Sequence, residues 1–192
     1  MPMLDKNGLT EAEFLRGYNS DRYPKPSLTA DVVMLTRGQD MRVLLICRGG
    51  HPCIGMYAFP GGFAEASESI EQTALRELRE ETGIETAELL PVGLFSAPGR
   101  DKRGWVVSQC FVSLLPETVA ARAGDDAARA EWFRLSLDNN TVNLTGIQTQ
   151  ITIGYGVRDG QVYTESLSED KLAFDHADML VRALICIQKI QI

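Results

Sequence analysis

The residues best suited to chemistry are three carboxylates that follow a glycine pair at Gly61–Gly62. Glu77 lies three positions before Glu80 and four before Glu81, so on a helix its side chain is close to both. Clustered carboxylates repel one another at neutral pH, and Mg²⁺ or Mn²⁺ relieves the repulsion by accepting oxygen ligands. The spacing therefore predicts an edge that binds divalent metal.

A helix must position these carboxylates, and its boundaries are readable in the sequence. Ser69 can cap its start while Gln72 reaches back to the cap, and Gly83 is a natural terminator. The predicted helix therefore begins after Ser69 and ends before Gly83.

The projection of this helix sets Glu81 apart from an ordinary surface glutamate. With 100° per residue, Ile70, Ala74 and Leu78 form an apolar sector, and Glu81 falls about 20° from Ile70 within it. Carboxylates avoid buried positions unless something compensates their charge. The alternative interpretation, a solvated acidic face with surface ion pairs, does not explain this placement.

The spacing from Gly62 onward is typical of one family. The order is Gly62, five residues, Glu68, seven residues, and then the run REL-x-EE-x-GI at positions 76–84. This run matches the signature of the Nudix hydrolases, and the strand order of residues 27–137 is also similar to theirs. The resemblance implies an α/β (α+β) fold, a mixed β-sheet sandwiched between helices. We expect one domain over residues 1–192, with a core at about 27–137 and a C-terminal helix at 175–189.

The resemblance also implies a set of site residues. Glu77, Glu80 and Glu81 would be metal ligands beside the Gly62 carbonyl, with Mg²⁺ or Mn²⁺ as cofactor. Arg76 would position the carboxylates, and Glu68 would support the site from behind them. The general base stays open between a carboxylate of this signature and three later candidates: Asp125, Asp126 and Glu131.

Substrate choice depends on loops outside the signature. Four stretches resemble the ADP-ribose pyrophosphatase-like branch: residues 26–31, 96–108, 124–133 and 172–176. This resemblance implies a small nucleotide substrate, with ADP-ribose giving AMP and ribose 5-phosphate. Arg100 and Arg103 are the candidates for binding phosphate or ribose phosphate, because guanidinium groups bind such oxygens in bidentate fashion. Arg48 is a further candidate, at the end of its strand.

Two other functions remain open at this point. One is a Nudix hydrolase of another nucleotide, such as a nucleoside triphosphate or a nucleotide sugar. The other is a non-catalytic regulator that senses ADP-ribose, related to the repressors of this family. The complete carboxylate set favours catalysis over sensing.

Composition limits the remaining possibilities. The formal net charge of −7 disfavours binding to a nucleic-acid backbone. The N-terminus does not resemble a signal peptide, no apolar run is long enough for a membrane span, and four scattered cysteines fit a reducing compartment. We therefore expect a cytoplasmic protein. The segment 138–169 is predicted to be a β-hairpin insertion that forms either a homodimer arm or a pocket lid.

Overall fold

The computed structural model describes residues 2–85, 87–122, 127–159 and 161–189. Its helices are α1 (Glu11–Gly17), α2 (Ile70–Thr82) and α3 (His176–Cys186), with a 3-10 turn at Ser20–Arg22. The strands are β1 (Ser27–Thr36), β2 (Arg42–Arg48), β3 (Tyr57–Ala58), β4 (Gly61–Phe63), β5 (Leu90–Phe95), β6 (Val106–Leu115), β7 (Ala127–Asp138), β8 (Thr141–Thr145), β9 (Gln150–Arg158) and β10 (Gln161–Ser166).

These strands form one mixed sheet. Its main order is β10-β9-β8-β7-β2-β1-β6-β5, with β3 paired to β2 and β4 paired to β1. The β1–β6 pair is parallel and the other pairs are antiparallel. The central position of β1 explains why it is buried along most of its length.

The two faces of the sheet are covered by different helices. Side chains alternate along β1, so Ala30 and Val32 pack with Ala74 of α2, whereas Val33 packs with Leu180 of α3. The expected mixed sheet sandwiched between helices is confirmed.

The boundaries of α2 agree with the sequence prediction. Ser69 and Gln72 form a capping box, and Gly83 ends the helix with φ of 72°, in the left-handed region that glycine adopts without strain. Ala74 and Leu78 are fully buried. The predicted apolar sector is therefore the face that packs on the sheet.

The other two helices differ in how much they contribute to the core. α1 begins with a capping box between Thr10 and Glu13 and contains no buried residue. α3 buries Met179, Leu180 and Leu184 in the largest core cluster. No helix in the described part of the chain has both the length and the apolar character needed to cross a membrane.

The segment 138–169 contains more strand than the sequence analysis predicted. The expected hairpin exists as β9 paired with β10, and Gly160 of its turn lies outside the described residues. In addition to this hairpin, the chain reverses at residues 139–140 and continues as the strand β8. Val142 and Leu144 of β8 are buried, which explains why this stretch joins the sheet. Its role as a dimer arm or lid stays a prediction.

Candidate active site

The short strand β4 lies at the centre of the site. Gly61 and Gly62 both pair with β1, opposite Asp31 and Ala30 respectively. A Cβ atom at Gly62 would lie 2.5 Å from the carboxyl carbon of Glu77, and one at Gly61 would clash with the Ala30 carbonyl oxygen. Glycine is required at both positions because neighbouring atoms occupy the space of a side chain.

Arg76 organises the acidic edge of α2. Its Nε donates to Glu68 at 2.7 Å, while Nη1 donates to Glu77 at 2.7 Å and to Glu80 at 3.2 Å. Its Nη2 donates to the Phe63 carbonyl oxygen at 2.9 Å, which ties the helix to β4. The bonds from Arg76 lower the pKa of Glu68 to about 2. Arg76 thus contacts Glu68, Glu77 and Glu80 directly, and its role in positioning them for a metal stays a prediction.

Glu81 lies deeper than the other acidic residues of this edge. Its Oε2 accepts a hydrogen bond from the Gly61 backbone N–H at 2.8 Å. Burial raises the pKa of Glu81 to about 8, and burial also raises the pKa of Glu77. A cation near either carboxylate therefore favours its ionised form, and Arg76 already does so for Glu77.

The oxygen donors at this edge suit a hard divalent cation. Within residues 2–85, 87–122, 127–159 and 161–189, no three His, Cys, Asp or Glu side chains already converge as a ready metal site. Arg76 holds Glu77 and Glu80 instead. The donor chemistry nevertheless fits Mg²⁺ or Mn²⁺, because the partly buried carboxylates of Glu77 and Glu81 line one cavity and lie against the glycine backbone of β4.

Two adjoining cavities border β4. The acid cavity contains Glu77 and Glu81 and is also lined by His51. The arginine cavity is lined by Asp31, Arg100, Arg103, Phe174 and His176. Both cavities share four lining residues: Arg48, Gly61, Gly62 and Phe63.

The arginine cavity brings the three predicted substrate-binding arginines together. Arg100 donates to Asp175 from Nε and Nη2, at 2.7 and 2.5 Å, and is almost fully buried. Arg103 forms an ion pair with Asp101. Arg48 donates to the Pro52 carbonyl oxygen and forms no ion pair with a carboxylate of the described residues. Arg48 is therefore the arginine whose charge is best placed to meet an anion.

Of the three later candidates for the general base, the structure describes only Glu131. Glu131 lies on the α3 side of the sheet, since its neighbour Trp132 packs towards α2, and its carboxylate accepts from the Ile147 backbone N–H. This position places it away from the acid cavity. Asp125 and Asp126 lie outside the described residues.

His176 has a structural position at the back of the arginine cavity. Its Nδ1 accepts a hydrogen bond from the Phe59 backbone N–H at 2.9 Å, and its ring stacks on Phe59 with centroids 5.3 Å apart. Its Nε2 lies 3.7 Å from Asp31 Oδ1. Burial lowers the pKa of His176, because removal from water disfavours the charged ring.

This geometry predicts a pH-dependent contribution of His176 to stability. Since its folded pKa is depressed, the contribution is fully present above the ordinary histidine pKa of about 6.5 and is lost as pH falls. Asp31 and Asp175 oppose the depression, whereas Arg100 and Arg48 reinforce it. Urea titrations measure the unfolding free energies of the parent and of His176→Gln. We expect the parent's advantage over the variant to decrease as the pH is lowered from about 7.5 to about 5. A difference that stays constant across this range would contradict this role.

Sequence reasoning did not assign a role to three residues of the site. Asp31 and Phe174 lie in stretches that supported the branch resemblance, but their position facing the same cavity depends on the fold. Phe63 directly follows the glycine pair, so its closeness to the site could have been predicted from the sequence.

Comparisons with known proteins identify the family of this chain. The profile of the NUDIX domain matches residues 25–140, more than half of the chain. An ADP-ribose pyrophosphatase of Methanocaldococcus jannaschii is 37% identical over 116 residues, which cover 59% of this chain and 65% of that protein. The match thus spans less than two thirds of that relative.

Two solved structures are similar over nearly the whole chain. A MutT/nudix family protein from Enterococcus faecalis has a TM-score of 0.83 and 35% identity, with 94% of this chain and 70% of that chain covered. The NUDIX domain of Shewanella oneidensis NrtR, in complex with ADP ribose, has a TM-score of 0.68 and 27% identity, with 93% and 99% covered. With the carboxylate signature on α2 and the sheet between helices, these matches show that the chain belongs to the Nudix family.

Proposed function

We propose that this protein is a Mg²⁺- or Mn²⁺-dependent pyrophosphohydrolase that cleaves ADP-ribose to AMP and ribose 5-phosphate. The observation that carries the proposal is the junction of the two cavities. Carboxylates line one side of β4, arginines and aromatic rings line the other, and Arg48 and Phe63 border both. A diphosphate that lies across this junction reaches both groups of residues.

The acidic side would hold the metal. Glu77, Glu80, Glu81 and the Gly62 carbonyl supply oxygen ligands of the type that Mg²⁺ and Mn²⁺ prefer. When bound, such an ion neutralises phosphate charge and lowers the pKa of an attacking water.

The protein's own residues bind and orient the substrate around that ion. Arg76 orients Glu77 and Glu80 through its two Nη1 bonds. Arg48 binds a phosphate oxygen of the substrate at the cavity junction. A carboxylate of the α2 edge accepts the proton of the attacking water; Glu81, held by Gly61, is the one that we assign to this step.

The likeness to the ADP-ribose pyrophosphatase and to a domain bound to ADP ribose supports this substrate. A panel of ADP-ribose, nucleotide sugars and nucleoside triphosphates, assayed with Mg²⁺ or Mn²⁺, tests it. We expect ADP-ribose to have the highest kcat/KM, at or above about 10⁴ M⁻¹s⁻¹, and EDTA to abolish turnover. AMP and ribose 5-phosphate should appear in equal amounts.

The outcome of the panel separates the alternatives. Preferential turnover of a triphosphate would disprove the ADP-ribose assignment but leave a phosphoanhydride hydrolase. Tight binding of ADP-ribose without turnover of any compound, with either metal, would favour the sensing regulator, for which the NrtR likeness is the supporting observation.

A further inference from the structure

Three planar side chains meet at the wall of the arginine cavity, and we call them the planar cluster: Phe63, Arg103 and Phe174. The guanidinium carbon of Arg103 lies 4.7 Å from the ring centroid of Phe63 and 5.5 Å from that of Phe174. Arg48 contacts Phe174 in the same way, at 5.1 Å. These distances are in the range of cation–π contacts.

Asp101 holds Arg103 in this arrangement. Arg103 donates from Nε to both carboxylate oxygens at 3.1 Å and from Nη2 at 2.7 Å, and its backbone N–H donates at 2.8 Å. Asp101 is only 4% exposed, so removal of the guanidinium would leave a buried carboxylate without its cation. This cost favours the retention of Arg103 in its position beside Asp101.

The ion pair also decides which part of Arg103 is free to bind a ligand. Its polar edge is engaged with Asp101, whereas its side chain is still 39% exposed. Phe63 is 41% exposed beside it. Phe174 has φ of 50°, a left-handed conformation that a large side chain rarely adopts and that is often found at functional sites. What the planar cluster offers to a ligand is thus mainly π surface.

We propose that the planar cluster is the site where the nucleobase of the substrate stacks. The identification of the ligand as a nucleotide rests on the proposed function. Phe63 directly follows Gly62 and borders the acid cavity, so a base on the cluster lies close to a diphosphate held at the carboxylate edge. Arg103 contributes a planar cation for stacking, and Arg48 contributes the charge that meets phosphate.

This assignment differs from that of a phosphate-binding Arg103, and the two can be separated. Lysine at position 103 keeps the positive charge and can still pair with Asp101, but it has no planar group. Tyrosine at position 63 keeps the aromatic face, whereas leucine keeps only the apolar bulk.

The experiment measures the affinities of AMP and ribose 5-phosphate by calorimetry in EDTA, so that turnover plays no part. AMP carries the base and ribose 5-phosphate lacks it. For Arg103→Lys and Phe63→Leu we expect AMP to bind about 5-fold to about 100-fold more weakly, the range for loss of a base–aromatic stack, and ribose 5-phosphate to change by less than about twofold. Phe63→Tyr should retain AMP affinity, and thermal melting should show that all variants fold.

Three results would overturn the proposal. These are unchanged AMP affinity in Arg103→Lys and Phe63→Leu, equal losses for both ligands, and no AMP binding by the parent protein at millimolar concentration. A failure of the ADP-ribose assay is a separate result. If AMP binding depends on the planar cluster while ADP-ribose is not cleaved, the stacking site stands and the proposed reaction falls.

Discussion

Replacement of Glu81 by Gln is expected to lower kcat for ADP-ribose by about 10²-fold to about 10⁴-fold, the range associated with a lost general base. The carboxylate is partly buried at the floor of the acid cavity, where an amide can neither accept a proton nor compensate a cation. The fold should persist, because the amide oxygen can still accept the hydrogen bond from Gly61. Steady-state kinetics with saturating Mg²⁺ and a melting curve measure the two effects separately.

Glu85→Gln is the matched control for this variant. Glu85 is exposed just beyond the end of α2, so the same change of charge occurs outside the cavity. We expect its kcat to equal that of the parent. If Glu81→Gln hydrolyses ADP-ribose at the parental rate with either metal, Glu81 has no role in the reaction.

Gly61→Ala should mainly lower stability, whereas Gly62→Ala should mainly lower kcat. The added carbon at Gly61 meets the Ala30 backbone oxygen of β1, which cannot move without disturbing the sheet. We expect Gly61→Ala to lose about 1–3 kcal/mol of unfolding free energy, as overpacked sites do. At Gly62 the carbon meets the flexible tip of Glu77. That tip can turn aside, so Gly62→Ala should melt near the parental temperature but lose about 10²-fold in kcat through misplacement of the carboxylate.

Gly50→Ala provides the comparison for both variants. Gly50 also lines the acid cavity, yet a Cβ atom there would have no neighbour within 4 Å. Its stability and kcat should match those of the parent. Equal losses of stability in Gly61→Ala and Gly62→Ala would contradict the distinction between the fixed Ala30 backbone and the movable Glu77 side chain.

The parts of the molecule that could be predicted from sequence are those set by local interactions. The start of α2 at Ser69, its end at Gly83 and the burial of Ala74 and Leu78 all follow from capping and periodicity within the segment. The contacts of Arg76 with Glu77 and Glu80 are equally local.

The arginine cavity could not be predicted in this way because its contacts are not local. Arg100 meets Asp175 across 75 positions of sequence, and the planar cluster joins Phe63 to Phe174 through Arg103. A charged loop gives no indication of which arginine is neutralised by a carboxylate. The extra strand β8 was missed for a related reason, since its short sequence becomes a strand only when paired between β7 and β9.

The arrangement of the two helices on opposite sides of the sheet has an evolutionary consequence. The carboxylates are attached to α2, whereas most residues of the arginine cavity come from the α3 side, and β4 is the strand where the two sets meet. Mutations that remodel ligand preference can therefore accumulate without altering the catalytic apparatus, and catalysis can be lost while ligand capture is retained. One scaffold can in this way serve either an enzyme that cleaves a ligand or a protein that only binds it.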